Sequence, residues 1–475
     1  MDEERVVFGV GTEDFSQAEW VGDVFENKWK FDHSTKQWHQ WNGKRWAPDT
    51  VNEIKYVVAA HAVKNMEEAG ELEKKALVRM YSLNPIERAL EALASFPGIG
   101  VDGSGWDQDP YLLGCENGIV DLRLNALVPK PTPDMLVTKT TGCNFRPFDG
   151  ETEKLSERAP IFTKFLEEVT SKDPDLALFL LLWFGYSLFG FTPEQRFLIM
   201  IGTGRNGKGA LKHALWKATG EYFAQPDANM YMRTRHGAAR SDVARADLMA
   251  LKGKRITCFS EPEGGLFSEE SLKAHTGGDI ITARNLYSNV MVSWEPTHSI
   301  TFLVNNAPEV EDVGVSMAAR VMVADFRERY DGPNEDRQLY QKLEGEKEEI
   351  LAVLCWAAKA WYDQWEVEKT GLEMPARVVA ASKYFMSKND PIARCMNEFF
   401  ETGLEYDCAS AIAYEAYVRW HVGGEEDGEP MSQIKFSQGL ERKGFKKERT
   451  RSGTRWTGLR PLSAWKLSEK VAEDG

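Results

Sequence analysis

The segment FLIMIGTGRNGKGALKHALWKATG, residues 197–220, decides the fold of the chain. Its first five residues are apolar and include Ile199 and Ile201, which is typical of a buried strand. A glycine-rich turn follows, and from Lys208 onward the pattern is helical. The segment therefore predicts a strand, a tight loop and a helix in direct succession, the context in which a glycine-rich loop can hold phosphate groups.

The loop has the composition of a nucleotide-binding loop. Glycines let backbone N–H groups point at phosphate oxygens, and the following helix presents its positive N-terminal end to them. We expect Lys208 to reach the β- and γ-phosphates of a nucleoside triphosphate. The residues assigned to this binding are Gly202, Thr203, Gly204, Arg205, Asn206, Gly207, Lys208, Gly209 and Ala210.

Position 209 departs from the usual pattern, because a Ser or Thr normally stands there and gives its hydroxyl to Mg²⁺. Gly209 has no hydroxyl and Ala210 cannot replace it. Mg²⁺ keeps several waters readily, so a water can fill that position or carboxylates can hold the metal. The departure also leaves open a degenerate loop that does not hydrolyse nucleotide.

Short apolar strands alternate with helical stretches from about residue 156 onward. Three of these strands are predicted at Phe197–Ile201, Ile256–Phe259 and Ile300–Val304. This alternation is typical of an α/β layer with a parallel sheet. Before it, a Trp-rich start with a hairpin turn at Asn42-Gly43 and surface helices over residues 51–93 predict an α+β region.

The composition is that of a folded soluble protein, with 42% hydrophobic and 28% charged residues among 475. It excludes a disordered tail protein, a collagen-like rod and a small disulfide scaffold, and the length favours about three domains. With 58 Lys and Arg against 73 Asp and Glu, the net charge is −15. Taken whole, that charge argues against nucleic acid as a partner.

Membrane and compartment signals are weak. The stretch at residues 176–193 has 18 residues without a formal charge, but it contains glycines, ends in Pro193 and stands alone, so we interpret it as a buried helix. The N-terminus lacks the basic start of a signal peptide. The six cysteines show no Cys-x-x-Cys spacing, which favours free buried thiols in a reducing compartment.

Acidic residues follow the second predicted strand. Glu261 stands at its end and Glu263 two residues later. Hydrolysis of a nucleoside triphosphate needs an acidic group at such a strand end to hold Mg²⁺ or polarise the attacking water. We assign Glu261 as the first metal and catalytic candidate and Glu263 as the second, although acidic strand ends are also common on surfaces.

Two further candidates follow the third strand. Asn305 comes directly after it, where an amide can orient the lytic water or contact the γ-phosphate; the alternative is an ordinary Asn-rich turn. Arg320 precedes another apolar run and can reach the γ-phosphate of a neighbouring subunit, or form a surface salt bridge instead.

These motifs in this order resemble the superfamily 3 helicases, in particular the phage and plasmid primase-helicases of the poxvirus type. The resemblance runs from about residue 29 to residue 462. It is carried by QWHQWNGKRWAPD (residues 37–49), the Leu113, Asn117, Gly118 and Asp121 pattern, FGYSLFG (residues 184–190), Gly204 to Lys208, Glu261, KAHTGGD (residues 273–279) with Arg284, Asn305 and Arg320.

The resemblance implies a hexameric ring that uses ATP to move along single-stranded DNA, usually 3′ to 5′. It matches Glu261 to the Walker B glutamate, Asn305 to the sensor and Arg320 to the arginine finger. It also implies a DNA-contacting hairpin near residues 284–294, with Lys273 and Arg284 nearby. The usual hairpin lysine is absent, so Tyr287, Asn289 and the backbone would make the contact. The alternative is that Lys273 and Arg284 only pair with Asp279 and nearby acids.

A compact basic segment lies near the C-terminus. Residues 432–460 carry nine Lys and Arg against two Glu, a net +7 that leaves −22 on the rest of the chain. Phe436, Phe445 and Trp456 are interleaved, and the pattern resembles a winged helix in which Lys446, Lys447 and Arg451 contact DNA backbone. The alternative is a solvated basic face paired with the acidic loop at residues 425–429.

The predicted fold class is therefore α/β: an AAA+-like P-loop NTPase core with a parallel sheet, an N-terminal α+β region and a C-terminal winged-helix-like domain. The predicted domains are an accessory or oligomerisation region at residues 1–150, a helicase domain at 151–385 and a DNA-binding domain at 386–475. The first domain is short for a primase, and the Asp107-Gln108-Asp109 string is interpreted as solvated loop. We expect priming to be done by a separate primase or polymerase, or not at all.

The sequence thus predicts an ATP-dependent DNA helicase for replication of a phage or mobile element, with ATP and Mg²⁺ as cofactors. The expected partners are single-stranded and forked DNA and other copies of the chain in a hexamer, with no membrane, in the cytoplasm of a bacterial host. Two alternatives stay open: a non-hydrolysing DNA-binding replication initiator or loader, and a P-loop NTPase without unwinding activity.

Overall fold

A computed structural model describes residues 13–462, except 26, 67–68, 234–244, 261–264, 285–290, 307, 311–313, 333–334, 425–428 and 452. The architecture is mixed α/β, with an N-terminal α+β region followed by a parallel sheet.

The N-terminal region combines four helices with two small sheets. The first three strands form an antiparallel meander in which Trp41 pairs with Trp46 across the turn predicted at Asn42-Gly43, and the fourth strand joins it in parallel. The helices over residues 51–93 are also confirmed. The elements are α1 (Asp14–Phe25), β1 (Trp29–Asp32), β2 (Gln37–Trp41), β3 (Trp46–Pro48), α2 (Glu53–Asn65), α3 (Glu71–Arg79), α4 (Leu83–Leu93), β4 (Gly100–Val101), β5 (Leu112–Cys115), β6 (Gly118–Asp121) and β7 (Ala126–Leu127).

The central part of the chain alternates helices and strands. Its elements are α5 (Leu155–Arg158), α6 (Pro160–Val169), α7 (Pro174–Tyr186), β8 (Phe197–Ile201), α8 (Lys208–Thr219), β9 (Phe223–Ala224), α9 (Ala246–Met249), β10 (Ile256–Ser260), α10 (Glu269–Gly277), β11 (Ile281–Ala283), β12 (Val292–Trp294), β13 (Ser299–Val304), α11 (Val315–Ala318), β14 (Val321–Asp325), α12 (Leu339–Gly345), α13 (Lys347–Asp363) and α14 (Ala376–Lys388).

Five of these strands form one sheet in the order β14-β8-β13-β10-β9, and every pairing in it is parallel. The register aligns Ile201 with Val304 and with Asp325, and Ser260 with Leu303. The carboxyl ends of β8, β10, β13 and β14 therefore meet at one edge. The parallel sheet predicted from the alternating pattern is confirmed.

Both faces of this sheet are covered, as expected for parallel strands. Leu198 and Met200 of β8 pack into the cluster formed with α7, α8 and α13, whereas Phe197 and Ile199 pack into a second cluster with Phe302. Alternate side chains of β8 thus pack into two separate hydrophobic clusters, and the strand itself is nearly fully buried.

The uncharged stretch at residues 176–193 begins as a buried helix, as predicted, and that helix ends at Tyr186. The stretch forms most of α7, and Trp183 Nε1 donates to Thr301 Oγ1 of β13 at 2.9 Å. A Cβ on Gly185 would lie 2.5 Å from the backbone nitrogen of Ala358, so α7 and α13 touch backbone to backbone there. Among the described residues, no helix is long and apolar enough to cross a membrane.

One buried arginine joins the N-terminal region to the sheet. Arg255 is 3% exposed and donates to the carbonyl oxygens of Leu188 at 2.6 Å and Leu112 at 2.8 Å. Further bonds reach Pro110 and Asp109 at 3.3 Å, and the guanidinium lies over the ring of Tyr222. The hydrophobic cluster below it also crosses residue 150, since Leu113 and Cys115 share it with α7. The predicted boundary is not a break in the packing.

Asp107 corrects one expectation, because its side chain is not solvated. It is 6% exposed, accepts from Thr138 and receives Lys139 Nζ at 2.9 Å. Burial raises the pKa of this carboxyl, but the Lys139 ammonium and the Thr138 donors outweigh it and hold the pKa below its ordinary value. Asp107 therefore anchors the loop that carries it. All six cysteines are buried and unpaired.

The last part of the described chain is a three-stranded antiparallel sheet with three helices. The strand order is β15-β17-β16. A separate core forms around Tyr417, Trp420, Phe436 and Trp456. The elements are α15 (Pro391–Phe399), β15 (Phe400–Ala409), α16 (Ser410–Gly423), α17 (Gln433–Arg442), β16 (Lys446–Thr450) and β17 (Gly453–Pro461).

Candidate nucleotide site

The loop between β8 and α8 follows a path that only glycine permits at two points. Gly207 has φ 86°, and a Cβ there would lie 2.3 Å from Val169 Cγ1. A Cβ on Gly202 would lie 1.9 Å from Asn206 Nδ2. The helix then begins at Lys208, so its positive end faces the loop. The tight turn and the helix end together form a cradle that suits phosphate groups.

Lys208 is held inside this loop rather than extended into solvent. It is 7% exposed, and its Nζ donates to the Gly202 carbonyl oxygen at 2.7 Å and to Asn206 Oδ1 at 3.0 Å. A longer contact of 3.4 Å reaches Asn305 Oδ1. The ammonium group is therefore already surrounded by oxygens at the point where an anionic ligand would bind.

Polar side chains at the ends of two strands lie at the same edge of the sheet as the loop. Asn305 follows β13 directly, and Ser260 ends β10, where its hydroxyl accepts from Lys212 Nζ at 3.4 Å. Because carboxyl ends of parallel strands share one edge, these groups stand beside the loop. The structure thus brings Lys208 and Asn305 together as the sequence predicts, while their roles stay predictions.

A cleft of about 1040 Å³ opens over the loop. It is large enough for a nucleotide. Loop residues, Ser260 and Asn305 line its polar side. The apolar and aromatic lining residues, which we call the apolar wall, are Ile161, Phe165, Val169, Tyr330, Leu339 and Tyr340. Charged side chains also line the cleft, namely Lys164, Glu168, Glu335, Asp336 and Lys342. A polar cradle beside an apolar wall fits a ligand with a phosphate end and a flat base.

The apolar wall depends on a carboxylate that is distant in sequence. Glu346 is 9% exposed and accepts from the backbone N–H groups of Ile161 at 2.9 Å and Phe162 at 2.8 Å. It therefore satisfies the free donors at the start of α6, the helix that presents Phe165 and Val169 to the loop. In the same wall, burial raises the pKa of Tyr330 to about 12, with a smaller effect from Glu168 of α6, so the Tyr330 hydroxyl is protonated at neutral pH.

The two predicted acidic residues, Glu261 and Glu263, lie outside the described residues. Ser260, the residue before them, lines the cleft, so β10 ends at the site. In the described part of the chain, no cluster of three or more His, Cys, Asp or Glu could hold a metal ion. The oxygen donors described at this edge include the Ser260 hydroxyl and the Asn305 amide, which suit a Mg²⁺ ion that keeps several waters.

Arg320 lies at the amino ends of the parallel strands, whereas the loop follows their carboxyl ends. It precedes β14, and its carbonyl accepts from the N–H of Phe197, the first residue of β8. The loop follows Ile201 at the other end of that strand, about 13 Å away at roughly 3.3 Å per residue. The Arg320 guanidinium bonds to Ser316 at 2.8 and 2.9 Å. Any contact of Arg320 with a nucleotide therefore requires the loop of another subunit.

The predicted hairpin region contains an antiparallel strand pair, β11 with β12. Tyr287 and Asn289 lie outside the described residues. Lys273, on α10, pairs with Glu269 at 3.0 Å rather than with Asp279, which agrees with part of the alternative interpretation. Arg284 follows β11, and its carbonyl accepts from the N–H of Arg245. The DNA contacts of all four residues stay predictions.

Two neighbouring histidines lie on α10 and before β13, and His298 is buried whereas His275 is half-buried. The Tyr231 hydroxyl is 2.7 Å from His275 Nδ1 and 3.4 Å from His298 Nε2. Burial lowers the pKa of His275 to about 4, with a smaller effect from Arg245, and lowers the pKa of His298 to about 3. Both rings are therefore neutral at pH 7 and act as packing groups.

The C-terminal basic segment is only partly neutralised. Arg455 pairs with Asp407 at 2.5 Å and Arg460 with Glu401 at 2.6 Å, both on β15. Lys443 pairs with Asp390 on the loop before α15. Four further exposed side chains, which we call the basic face, make no ion pair among the described residues. The basic face consists of Lys446, Lys447, Arg449 and Arg451. Of the acidic loop at residues 425–429 suggested as a partner from sequence, residues 425–428 lie outside the described part, and Glu429 is exposed.

Sequence reasoning missed several residues of this site. Tyr330, Tyr340 and Glu346 come from segments more than 120 positions after the loop and carry no motif. Lys212 lies one turn into α8, where a lysine is usually a solvated surface residue. Tertiary packing brings Tyr330, Tyr340 and Glu346 to the cleft, so no local pattern could have identified these three residues.

Comparison with known proteins gives relatives of part of the chain and a related fold. The family model described as "D5 N terminal like" matches residues 18–171. A protein of Acanthamoeba polyphaga mimivirus named "Putative helicase L207/L206" is 26% identical over 225 residues. That match spans 47% of this chain and 22% of the relative's length. Together they support a phage-type helicase family, and the resemblance inferred from the motifs is confirmed.

Solved structures show a related fold. The A-form apo structure of the NrS-1 C-terminal region (305–718) matches with a TM-score of 0.50 at 13% identity, over 94% of this chain and all of that one. A further apo structure of the same region gives a TM-score of 0.49 at 13% identity, over 94% of this chain and 99% of that one. At this identity the likeness concerns the fold alone.

Proposed function

We propose that this chain, with its relatives among the phage-type helicases, is an ATP-dependent DNA helicase that acts in replication of a phage or mobile element. The observation that carries the proposal is the buried Lys208, held by three oxygens at the carboxyl edge of a parallel sheet, beneath a cleft of about 1040 Å³. A buried ammonium group in a glycine-rich loop is the arrangement expected of a site that binds phosphate.

The proposed roles follow from position. Lys208 binds the β- and γ-phosphates, Asn305 beside it contacts the γ-phosphate, and Glu261 with Glu263 holds Mg²⁺ and orients the attacking water. Bound Mg²⁺ neutralises charge on the phosphates. We assign an AAA+-like P-loop core to the sheet and its helices, with ATP as the nucleotide. The base would lie against Phe165 and Tyr330 on the apolar wall.

The opposite-edge position of Arg320 favours an oligomer. Since it stands about a strand length from its own loop, it can complete only a neighbour's site, and a ring lets every subunit do so. We propose a hexamer on this basis and on the family resemblance. The winged-helix-like assignment of the C-terminal part rests on α17 followed by the β16–β17 hairpin, which carries the basic face.

DNA would be the partner of two surfaces. The basic face offers exposed positive groups for duplex backbone at a fork, and Lys273, Arg284, Tyr287 and Asn289 are proposed for single-stranded DNA in the ring. The N-terminal residues 1–150 are proposed to serve assembly, with priming left to a separate primase or polymerase. We place the protein in the cytoplasm of a bacterial host.

The decisive test compares Lys208→Ala with the wild type for DNA-stimulated ATPase and for unwinding of a forked duplex. We expect the variant to lose at least about a hundredfold in both, since a preorganised cationic contact to the transferred phosphate is removed. Lys388→Ala, an exposed lysine at the end of α14, serves as the matched control. Mass photometry gives the size of the assembly.

One alternative is favoured by a specific observation. Gly209 removes the usual metal-binding hydroxyl, which suits a DNA-binding initiator or loader that binds ATP without hydrolysing it. That alternative predicts nucleotide binding without turnover in the wild type. If ATP is hydrolysed but forked DNA is not separated, the protein is instead an NTPase without unwinding activity.

A further inference from the structure

The hydroxyl missing at position 209 has a candidate replacement in the same cleft. Tyr340, on α12, lines the cleft together with the loop, and it is 48% exposed. A Cβ built on Gly209 would lie 3.0 Å from the Tyr340 hydroxyl oxygen. This hydroxyl therefore stands beside the point from which the usual Ser or Thr hydroxyl would project.

The position of the phenol ring is fixed by contacts on α8. Tyr340 packs edge-on against His213, with ring centroids 4.9 Å apart. One turn further along α12, Glu344 receives Lys217 Nζ at 2.9 Å and lies 3.6 Å from His213. Both partners belong to the helix that begins at Lys208. The phenol is thus tied to the same element that presents the loop.

Glycine at 209 and tyrosine at 340 also fit each other sterically. A contact of 3.0 Å is tighter than nearly all real Cβ contacts, so a side chain at 209 would press the phenol outward by a few tenths of an ångström. The bare backbone at Gly209 leaves this space to the phenol. The lack of a side chain at position 209 therefore makes room for the Tyr340 hydroxyl.

We propose that the Tyr340 hydroxyl takes the place of the Ser or Thr hydroxyl absent at position 209 and contacts the hydrated Mg²⁺ that accompanies the nucleotide. A phenol can accept from, or donate to, a water held by the metal, and Mg²⁺ retains such waters readily. This assignment rests on the proposed nucleotide site, and it accounts for how a loop ending in Lys-Gly-Ala can still organise the metal.

The test uses Tyr340→Phe in the full chain, which keeps the ring and its packing on His213. Binding of a fluorescent ATP analogue is measured at equilibrium with Mg²⁺ and with EDTA. We expect about a tenfold weaker affinity with Mg²⁺, the size of one hydrogen bond to a charged site, and little change with EDTA. Tyr384→Phe, an exposed tyrosine on α14, is the matched control.

A second variant asks whether a hydroxyl is what matters. Gly209→Ser together with Tyr340→Phe returns a hydroxyl to the usual position, and we expect it to recover most of the Mg²⁺-dependent affinity that Tyr340→Phe removes. Failure of this rescue, or unchanged binding in Tyr340→Phe alone, would overturn the proposal. An equal loss with and without Mg²⁺ would place the hydroxyl on the phosphates and overturn the metal-side assignment.

The outcome also separates this proposal from the nucleotide site itself. If the wild type binds no ATP analogue and Lys208→Ala is no different, the proposed function fails and takes this inference with it. If the wild type binds and Lys208→Ala does not, while Tyr340→Phe equals the wild type, only the role of Tyr340 fails. The midpoint of thermal unfolding of each variant shows whether the fold is retained.

Discussion

The chain carries positive charge in two contrasting ways. Lys208 is almost fully buried and held by oxygens of its own loop, whereas the basic face on the C-terminal hairpin is exposed. A buried cation interacts strongly with a ligand in one geometry and is screened little by salt. An exposed set is weak per residue, tolerant of geometry and screened over about 8–10 Å. The first arrangement suits one small ligand, and the second suits a long phosphate backbone.

The largest expected effect concerns Arg320, which is neither a buried cation of the loop nor part of the exposed basic face. Arg320→Ala should reduce ATP turnover by about a thousandfold while assembly is retained, because a trans-acting arginine stabilises charge only in the transition state. Steady-state ATPase and mass photometry measure the two properties. Arg88→Ala, an exposed arginine on α4, is the control. Wild-type turnover in an assembled Arg320→Ala would reduce Arg320 to a surface residue.

A second expectation concerns a buried cation with a structural role. Arg255→Met should destabilise the chain by about 3 kcal/mol, because several buried carbonyls lose their donor at roughly 1–3 kcal/mol each. Denaturant unfolding measures this. The control is Arg419→Met, whose partly exposed ion pair with Glu415 contributes only about 0.5 kcal/mol. Equal effects from the two variants would mean that burial does not distinguish these cations.

The smallest effect per residue is expected on the basic face. Replacing Lys446, Arg449 and Arg451 by Ala should weaken DNA binding uniformly across sequences and lower the slope of log affinity against log salt by about 0.9 for each phosphate that is no longer neutralised. Fluorescence anisotropy on forked DNA at several salt concentrations measures the slope. ATPase without DNA should stay at the wild-type level. An unchanged slope would assign this surface to something other than nucleic acid.

The sequence predicts the strands, helices and turns whose residues show a clear local pattern. The strands β8, β10 and β13, the buried α7 and the turn at Asn42-Gly43 each have a clear periodic or turn signature. The site is foreseeable where a residue follows a strand directly, as Asn305 does. Arg255, Glu346 and Tyr340 are not, because each acts through partners more than 60 positions away. The expectation for Asp107 is wrong for a similar reason, since Lys139 and Thr138, about 30 positions later, bury it.

Arg320 and the loop between β8 and α8 lie at opposite ends of the strands of one sheet, and this placement has a consequence for mixtures of two variants. If a neighbour's Arg320 completes each site, each active site is formed by two neighbouring subunits rather than by one. A subunit lacking Lys208 can still supply its Arg320 to the neighbouring site. A subunit lacking Arg320 can still receive the arginine of its neighbour. Mixing the two dead variants would then regain activity, because one type of junction between them is intact. Activity in such a mixture measures how the subunits are ordered around the assembly.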